Sequence, residues 1–435
     1  GLFHFGFCDG IQLIYAGKKQ EDLNQKLFLS FTHFLMVIEA VIAFIICISS
    51  LFFLENKLKF IFCCVALNLF LQNMMTYYQY ILQCTQQFKE YSLKNIVNSV
   101  LNSLGIISLW LFYKFGNVES ISFKAYVIIL LSIYALMTIW FLIRFRNITF
   151  GKGTSFRETW PYIKRCFALG FPLLVANLCS SLILSFDSQF VNVYFDTDIY
   201  AVYAFAYNIL GLVTTMISAI TIVIYPILKK TEKEKLTDVF PRLVSLLAIF
   251  ISGCLIMFYP LVPVVDLILQ QYSGSLIIFR IILPGLMLSS VVSVIIQNYY
   301  KALGKPGLFF VFSAITLVIS IGLNFAAYYI FKTTEAISWA SIITLIIYYF
   351  LTLIPLIIKM KVKWIKNTIY ICIMITLFYL CMLFDKLWLS FLVYFISYIV
   401  CTLLLQWNTV KKIITYIKTK VKNKRLISSD NKLEK

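Results

Sequence analysis

The chain has 435 residues, of which 61% are hydrophobic and 13% are charged. Soluble globular proteins are typically about 45–50% apolar and about 25% charged, so composition excludes a soluble multidomain enzyme and indicates an integral membrane protein. The net charge of +19 does not indicate a nucleic-acid binder, because the positive residues lie between apolar runs and not on a soluble basic face.

The sequence provides few groups for metal or cofactor chemistry. His4 and His33 are the two histidines, and the eleven cysteines include neither a CxxC pair nor zinc-ligand spacing. Most cysteines lie in apolar runs, where we expect small packing residues. Residues 151–154 (GKGT) lack the upstream glycine of a phosphate-binding loop and follow no predicted strand. We therefore expect no catalytic residues, no metal and no cofactor.

Apolar stretches long enough to cross a bilayer recur along the chain and predict an all-α, polytopic membrane protein. Residues 1–16 are apolar but too short for a full crossing, so we expect the end of a helix and an N-terminally truncated sequence. Twelve complete spans are predicted after it, at residues 28–54, 58–82, 96–115, 125–143, 166–187, 200–228, 243–262, 275–300, 307–331, 337–358, 368–384 and 389–407.

The positive residues predict which side each loop faces. Most of the 38 Lys and Arg fall in one set of alternate loops and in the C-terminal tail. The other set of loops holds only Lys57, Lys59, Lys114, Lys124, Lys332 and Lys386. Cytoplasmic loops are enriched in Lys and Arg, so the first set is predicted to be cytoplasmic.

A polar connection rich in Lys and Arg at residues 144–165 predicts a cytoplasmic linker between two lobes. The N-terminal lobe covers residues 1–143, and the C-terminal lobe of six helices covers 166–359. Two additional helices at 360–407 and a basic cytoplasmic tail at 408–435 follow. All nine prolines lie in or after the linker, and we expect Pro172 and Pro284 to interrupt apolar helices.

Polar residues at helical spacing mark faces that do not lie against lipid. One stripe joins Asn68, Gln72, Thr76, Gln79, Gln83 and Gln86; a second joins Asn177, Ser181, Ser185, Ser188 and Asn192; a third joins Ser289, Ser293 and Gln297. Two interpretations are open: hydrogen bonds between packed helices, or the lining of a water-filled cleft that binds substrate. The substrate-binding candidates are Asn68, Gln72, Thr76, Gln79, Gln83, Asn177, Ser181, Gln297 and Arg280.

Ionisable residues inside membrane spans are functional candidates. Glu39 lies near the middle of its helix, Asp9 lies in the incomplete first helix and Asp187 lies near the outer end of its span. These three acids are the candidates for ion coupling. Arg280 either binds a phosphate or extends its side chain to the membrane surface.

Several short motifs resemble one membrane family. They are residues 1–10, 15–18 (YAGK), 83–91 (QCTQQFKEY), 170–173 (GFPL), Asp187, 203–208 (YAFAYN), 225–226 (YP) and 301–306 (KALGKP). Together they resemble bacterial oligosaccharide flippases of the O-antigen and capsule type, in the multidrug/oligosaccharidyl-lipid/polysaccharide exporter superfamily. The resemblance implies two six-helix lobes plus two C-terminal helices. Fourteen helices are then expected, of which about twelve and a half lie in this sequence.

The resemblance also implies a function. The expected protein is not an enzyme but a flippase that moves a polyprenyl-pyrophosphate-linked oligosaccharide across the bacterial cytoplasmic membrane by alternating access. Its expected partners are that substrate, membrane lipids and a polymerase of the same pathway, with no nucleic acid. The alternatives are a multidrug or cation antiporter of the same fold and a membrane polysaccharide polymerase or ligase. The short outer loops disfavour the polymerase or ligase.

Overall fold

The computed structural model describes residues 4–53, 55–115 and 122–433, and these ranges contain helices and no strand. The helices are α1 (Phe7–Tyr15), α2 (Gln25–Phe53), α3 (Asn56–Cys84), α4 (Phe88–Phe115), α5 (Phe123–Arg144), α6 (Arg146–Thr149), α7 (Phe156–Tyr194), α8 (Thr197–Lys230), α9 (Lys233–Leu255), α10 (Phe258–Ile268), α11 (Ser275–Ile282), α12 (Gly285–Ser290), α13 (Gln297–Ala302), α14 (Pro306–Phe331), α15 (Thr334–Met360), α16 (Ile365–Cys381) and α17 (Leu387–Leu433). A π-helical turn, Val291–Ile296, joins α12 to α13.

The all-α, polytopic fold is confirmed. Within the described ranges, ten helices are long and apolar enough to cross a membrane. One bent helix pair raises this number to eleven if it is counted as a single span. The 17-residue α16 is a further apolar helix. These helices correspond to the twelve predicted spans, and α1 lies in the apolar segment predicted at residues 1–16. Helix α7 begins inside the predicted linker, which also contains α6.

Local sequence sets several helix ends. Ser122 caps α5 by accepting a hydrogen bond from the Lys124 amide at 3.3 Å, and Thr333 caps α15 by accepting one from the Ala336 amide at 3.3 Å. Pro306 opens α14, where its missing N–H breaks no helical bond.

The two prolines expected to interrupt helices behave differently. Pro284 separates α11 from α12, and the two parts of this span are bent by 44°. Pro172 lies inside the continuous helix α7, so the expected interruption there is wrong. In apolar surroundings a helix keeps its remaining backbone bonds because unpaired groups are costly, and one missing N–H does not end it.

Contacts divide the chain into two compact units. Unit 1 consists of Gly1–Val175 and Tyr225–Lys230, and unit 2 consists of Ala176–Ile224 and Thr231–Lys435. The predicted boundaries of the lobes, linker, additional helices and tail stay a prediction.

In unit 1, glycines bring α1 and α7 into backbone contact. A Cβ atom on Gly10 would lie 2.0 Å from the Cys166 carbonyl oxygen, and one on Gly170 would lie 1.9 Å from that of Gly6. Gly6 and Gly10 form a GxxxG pair, the spacing that lets membrane helices approach closely. The α1 side of this crossing packs aromatic Phe7 into the core of unit 1.

Candidate functional site

Unit 1 contains two buried carboxylates, and each accepts a hydrogen bond from a side chain on α3. Asp9 on α1 accepts a hydrogen bond from the Tyr80 hydroxyl at 3.0 Å, and Glu39 on α2 accepts one from Asn73 Nδ2 at 2.8 Å. Asp9 is 2% exposed and Glu39 is 0% exposed. The second oxygen of Glu39, Oε1, has no hydrogen-bond partner among the described residues. A buried carboxylate with one unpaired oxygen, as in Glu39, can take up a proton or a cation.

Near the C-terminal end of α3, residues of the predicted polar stripe form hydrogen bonds to other helices. Gln79 Nε2 donates to Asn95 Oδ1 on α4 at 2.9 Å. Gln83 is buried, and its Oε1 accepts from Gln12 Nε2 on α1 at 3.1 Å. Hydrogen bonds between packed helices therefore use part of the stripe.

Gln86, just beyond the end of α3, accepts a hydrogen bond from Lys230 Nζ on α8 at 2.6 Å. The three remaining residues of the stripe form no hydrogen bond to another helix within the described ranges. Asn68, Gln72 and Thr76 are half-buried. The Thr76 hydroxyl donates to the Gln72 carbonyl within α3, and Asn68 Oδ1 has no partner among the described residues. No hydrogen bond to the Gln72 side chain is present in the described part of the chain. These amides retain donors and acceptors for a ligand.

In unit 2, Asp187 is the centre of a buried cluster of hydroxyl groups. Its carboxylate accepts hydrogen bonds from Tyr203 at 3.0 Å, from Ser341 at 2.7 Å, from Tyr207 and from the Ser188 amide at 2.8 Å. The donors come from α7, α8 and α15, and Asp187 is 1% exposed. These four donors stabilise the carboxylate, and no cationic side chain in the described ranges forms an ion pair with it. The oxygen-rich surroundings are also suited to a hard cation.

The second and third stripes meet in unit 2. Gln297 Nε2 donates to Asn177 Oδ1, which joins α13 to α7. Ser181 lies one turn further along α7 and is exposed. Gln297 directly follows the π-helical turn, and such turns frequently occur at functional sites.

Arg280 lies on α11, close to the bend at Pro284. Its side chain is exposed and forms no hydrogen bond or ion pair within the described ranges. The geometry leaves both sequence interpretations open, since a free guanidinium can bind phosphate or reach the membrane surface.

Several partners at these sites were missed by the sequence interpretation. They are Asn73, Asn95, Tyr203, Tyr207 and Ser341. Tyr203 and Tyr207 are four residues apart, a spacing that places two hydroxyl groups on one helix face and could have indicated a polar site. Asn73 lies beside Gln72 but off the stripe, so only the packing of α2 on α3 identifies it. Within the described chain no group of three or more His, Cys, Asp and Glu is placed to hold a metal ion.

Comparison with known proteins identifies the family. The family model described as "Polysaccharide biosynthesis protein" matches residues 4–276 of this chain. No curated protein sequence matches this chain.

Solved structures show what the fold resembles. Lipid II flippase MurJ, in its inward closed conformation, is 14% identical, with a TM-score of 0.62 over 93% of this chain and 89% of that chain. An outward-facing multidrug resistance MATE family transporter of the MOP superfamily is 13% identical, with a TM-score of 0.61 over 86% and 84%. A MOP superfamily transporter from Pyrococcus furiosus is 14% identical, with a TM-score of 0.61 over 81% and 84%. The chain therefore belongs to the polysaccharide biosynthesis protein family, and it has the fold of the MurJ and MATE proteins.

Proposed function

We propose that the protein is a flippase that moves a polyprenyl-pyrophosphate-linked oligosaccharide across the bacterial cytoplasmic membrane for assembly of a surface polysaccharide. One combined observation carries this proposal. The chain belongs to a polysaccharide biosynthesis family and has the fold of a lipid II flippase over 93% of its length. Alternating access, in which the binding site opens to one side of the membrane at a time, is the proposed mechanism.

The chemistry of the substrate accounts for the polar residues inside the spans. Sugar hydroxyls and phosphates lose water on entering a membrane, and each unpaired polar group in hydrocarbon costs several kcal/mol. The free amide groups of Asn68 and Gln72 are proposed to replace water around the sugars. Arg280 is proposed to meet the pyrophosphate.

The buried acids are proposed to couple transport to an ion gradient. Glu39 has one unpaired oxygen, so protonation would remove the cost of its buried charge. Asp187 is surrounded by hydroxyl donors, which tolerate either a charged carboxylate or a bound cation. Asp9 is proposed to act with Glu39 in unit 1.

A flipping assay tests the proposal. The purified protein is reconstituted in vesicles with a fluorescent lipid-linked oligosaccharide, and a membrane-impermeant quencher reports how much remains on the outer leaflet. We expect the protein to make the inner-leaflet pool accessible to the quencher. Gln72→Leu should slow flipping without impairing insertion, because Leu enters a bilayer readily. Leu308→Ala, on a helix outside the stripes, is the control variant and should flip the lipid like the wild type. Absence of flipping by the wild-type protein would contradict the proposal.

A second candidate function is the efflux of drugs or cations. The observation that favours it is the MATE-like fold, together with the buried acids in both units. Growth of cells in toxic organic cations discriminates between the functions. An antiporter should raise resistance, and loss of Glu39 or Asp187 should abolish that gain. A flippase for lipid-linked sugars should leave resistance unchanged.

A further inference from the structure

An apolar groove of about 1110 Å³ lies in unit 2 between α9, α16 and α17. Its walls include the aliphatic residues Leu246, Val362, Ile365, Ile369 and Leu405. The groove exceeds the roughly 300–1,000 Å³ of typical small-molecule sites, and it lies on helices that the sequence places in a membrane. Its size and walls therefore fit a hydrocarbon chain.

The polar floor of the groove is already paired within the protein. Asn367 on α16 donates to the Pro241 carbonyl on α9 at 2.7 Å, and Gln406 on α17 donates to Asn367 Oδ1 at 3.1 Å. The backbone of Gln406 is non-helical (φ −120°, ψ 20°), so the direction of α17 changes at the groove. Ser245 Oγ donates to the same Asn367 oxygen at 2.9 Å, so the Asn367 side chain is paired within the protein and does not require a polar ligand. Apolar surface dominates the interior of the groove.

Four cations line the mouth of the groove: Arg242, Lys363, Lys366 and Lys412. All four are exposed, and none forms an ion pair within the described ranges. Asp238 lies one turn before Arg242 on α9 and does not pair with it. Lys366 lies in the first turn of α16, where the positive end of the helix dipole adds to the charge. The mouth therefore favours an anion.

We propose that this groove binds an anionic phospholipid of the surrounding bilayer. The phosphate lies among the four cations, and an acyl chain lies along the aliphatic walls. All four cations lie just outside the predicted spans 243–262, 368–384 and 389–407, on the predicted cytoplasmic side and therefore near the depth of lipid headgroups. Basic pockets between membrane helices bind such headgroups, and Trp364 at the mouth suits the membrane interface. A free phosphate would leave the apolar walls exposed to water.

Lipid binding to the purified full chain tests this site. Native mass spectrometry in detergent counts bound lipids while phosphatidylglycerol or phosphatidylcholine is added. We expect selective retention of phosphatidylglycerol. Each cation near anionic lipid contributes about a fivefold effect, so the triple variant Arg242→Gln, Lys363→Gln, Lys366→Gln should weaken binding on the order of a hundredfold.

Two further variants make the test specific. The control variant Arg146→Gln, Lys152→Gln, Arg157→Gln removes three exposed cations from unit 1 and should bind phosphatidylglycerol like the wild type. Arg242→Lys, Lys363→Arg, Lys366→Arg keeps the charges and should retain binding, which separates lost charge from misfolding. Equal binding of phosphatidylcholine, or equal loss in the control variant, overturns the proposal. Tighter binding of a polyprenyl phosphate at the same residues also overturns it, because the occupant would then be a carried lipid.

A spin-labelled phosphatidylglycerol locates the bound lipid. Its label should quench tryptophan fluorescence in the wild type. Trp364→Phe should reduce this quenching, whereas Trp388→Phe should leave it nearly unchanged. Trp388 lies at the opposite end of the additional helices, at the start of α17. Identical quenching in the two variants would place the lipid elsewhere and contradict the site.

Discussion

Glu39 is a fully buried carboxylate, and only one of its two oxygens accepts a hydrogen bond within the described ranges. Asn73 satisfies one oxygen, and the other has no partner among the described residues. A buried ionised carboxylate without compensation is expensive, whereas a protonated one can remain in an apolar environment at much lower cost. The state of this side chain should therefore respond to the proton gradient if the proposed coupling exists.

Glu39→Gln removes the titratable group and keeps an oxygen that can accept from Asn73. We expect a protein that inserts normally and unfolds at an unchanged or higher temperature, since the cost of the buried charge is gone. Transport should lose most of its dependence on the proton gradient. Measurement of flipping in vesicles with and without an imposed pH difference checks this.

Glu55→Gln is the matched control, because Glu55 is exposed between α2 and α3. This variant should keep the gradient dependence of the wild type. If Glu39→Gln keeps it too, Glu39 has a structural role and coupling must be sought at another acid.

The spacing of polar residues predicted a polar face on α3, but not its partners. Periodicity identifies which residues of one helix share a side, and Gln79 and Gln83 follow from it. The bonds of Gln79 to Asn95 and of Gln83 to Gln12 depend on how α3 packs against two other helices. That packing is set by side-chain shape along whole helices, so short-range sequence patterns do not specify it.

At the scale of helices, the α2–α3 hairpin brings two thiols together. Cys47 Sγ on α2 lies 3.0 Å from Cys63 Sγ on α3, and both cysteines are free. The sequence suggested packing residues in apolar runs and gave no sign that these two would meet. Their proximity supplies a direct test of the register of this hairpin.

A mild oxidant such as copper phenanthroline should join Cys47 to Cys63, because the sulfur atoms need only a small approach to form a bond. Mass spectrometry of peptides should show one cross-link with loss of two hydrogens. Cys63→Ser should abolish it, whereas Cys64→Ser should retain it. Full alkylation of both thiols after oxidation would mean that the hairpin has another register.

The crossing of α1 and α7 should tolerate no side chain at Gly10. Gly10→Ala places a methyl group against the Cys166 backbone, so the helices must separate, and overpacking typically costs about 1–3 kcal/mol. We expect a lower thermal unfolding temperature in detergent. Gly322→Ala on α14 is the control, since a Cβ atom there meets nothing within 4 Å, and it should be neutral or stabilising. Equal effects of the two substitutions would contradict the close crossing.

At the scale of the whole molecule, composition and hydropathy were sufficient to predict the fold class. Each span must satisfy its own backbone in lipid, so the number and order of the helices follow from local sequence. The bend at Pro284 was predicted from one residue, but the continuity of α7 through Pro172 was not, because surrounding packing decides whether a proline ends a helix. The fold beyond helix count was inferred from resemblance to a family.

The predicted orientation is testable by labelling from either side of the membrane. In a cysteine-free background, a cysteine at position 363 should react only from the cytoplasm. Cysteines at 196, 273 and 334, near the ends of α7, α11 and α15, should react only from outside. Membrane-impermeant maleimides on intact cells and on inverted vesicles measure this. Any one site labelled from the opposite face would show a miscounted span.

The glycine contact between α1 and α7 also restricts how this protein can change during evolution. Positions 6 and 10 are far from position 170 in the sequence, yet each of the three excludes a Cβ atom because of backbone on the facing segment. A larger residue at one of them could persist only after the facing backbone had shifted, which would release the constraint at the others as well. We therefore expect relatives that keep this crossing to keep all three glycines, and relatives that lose one to vary at all three.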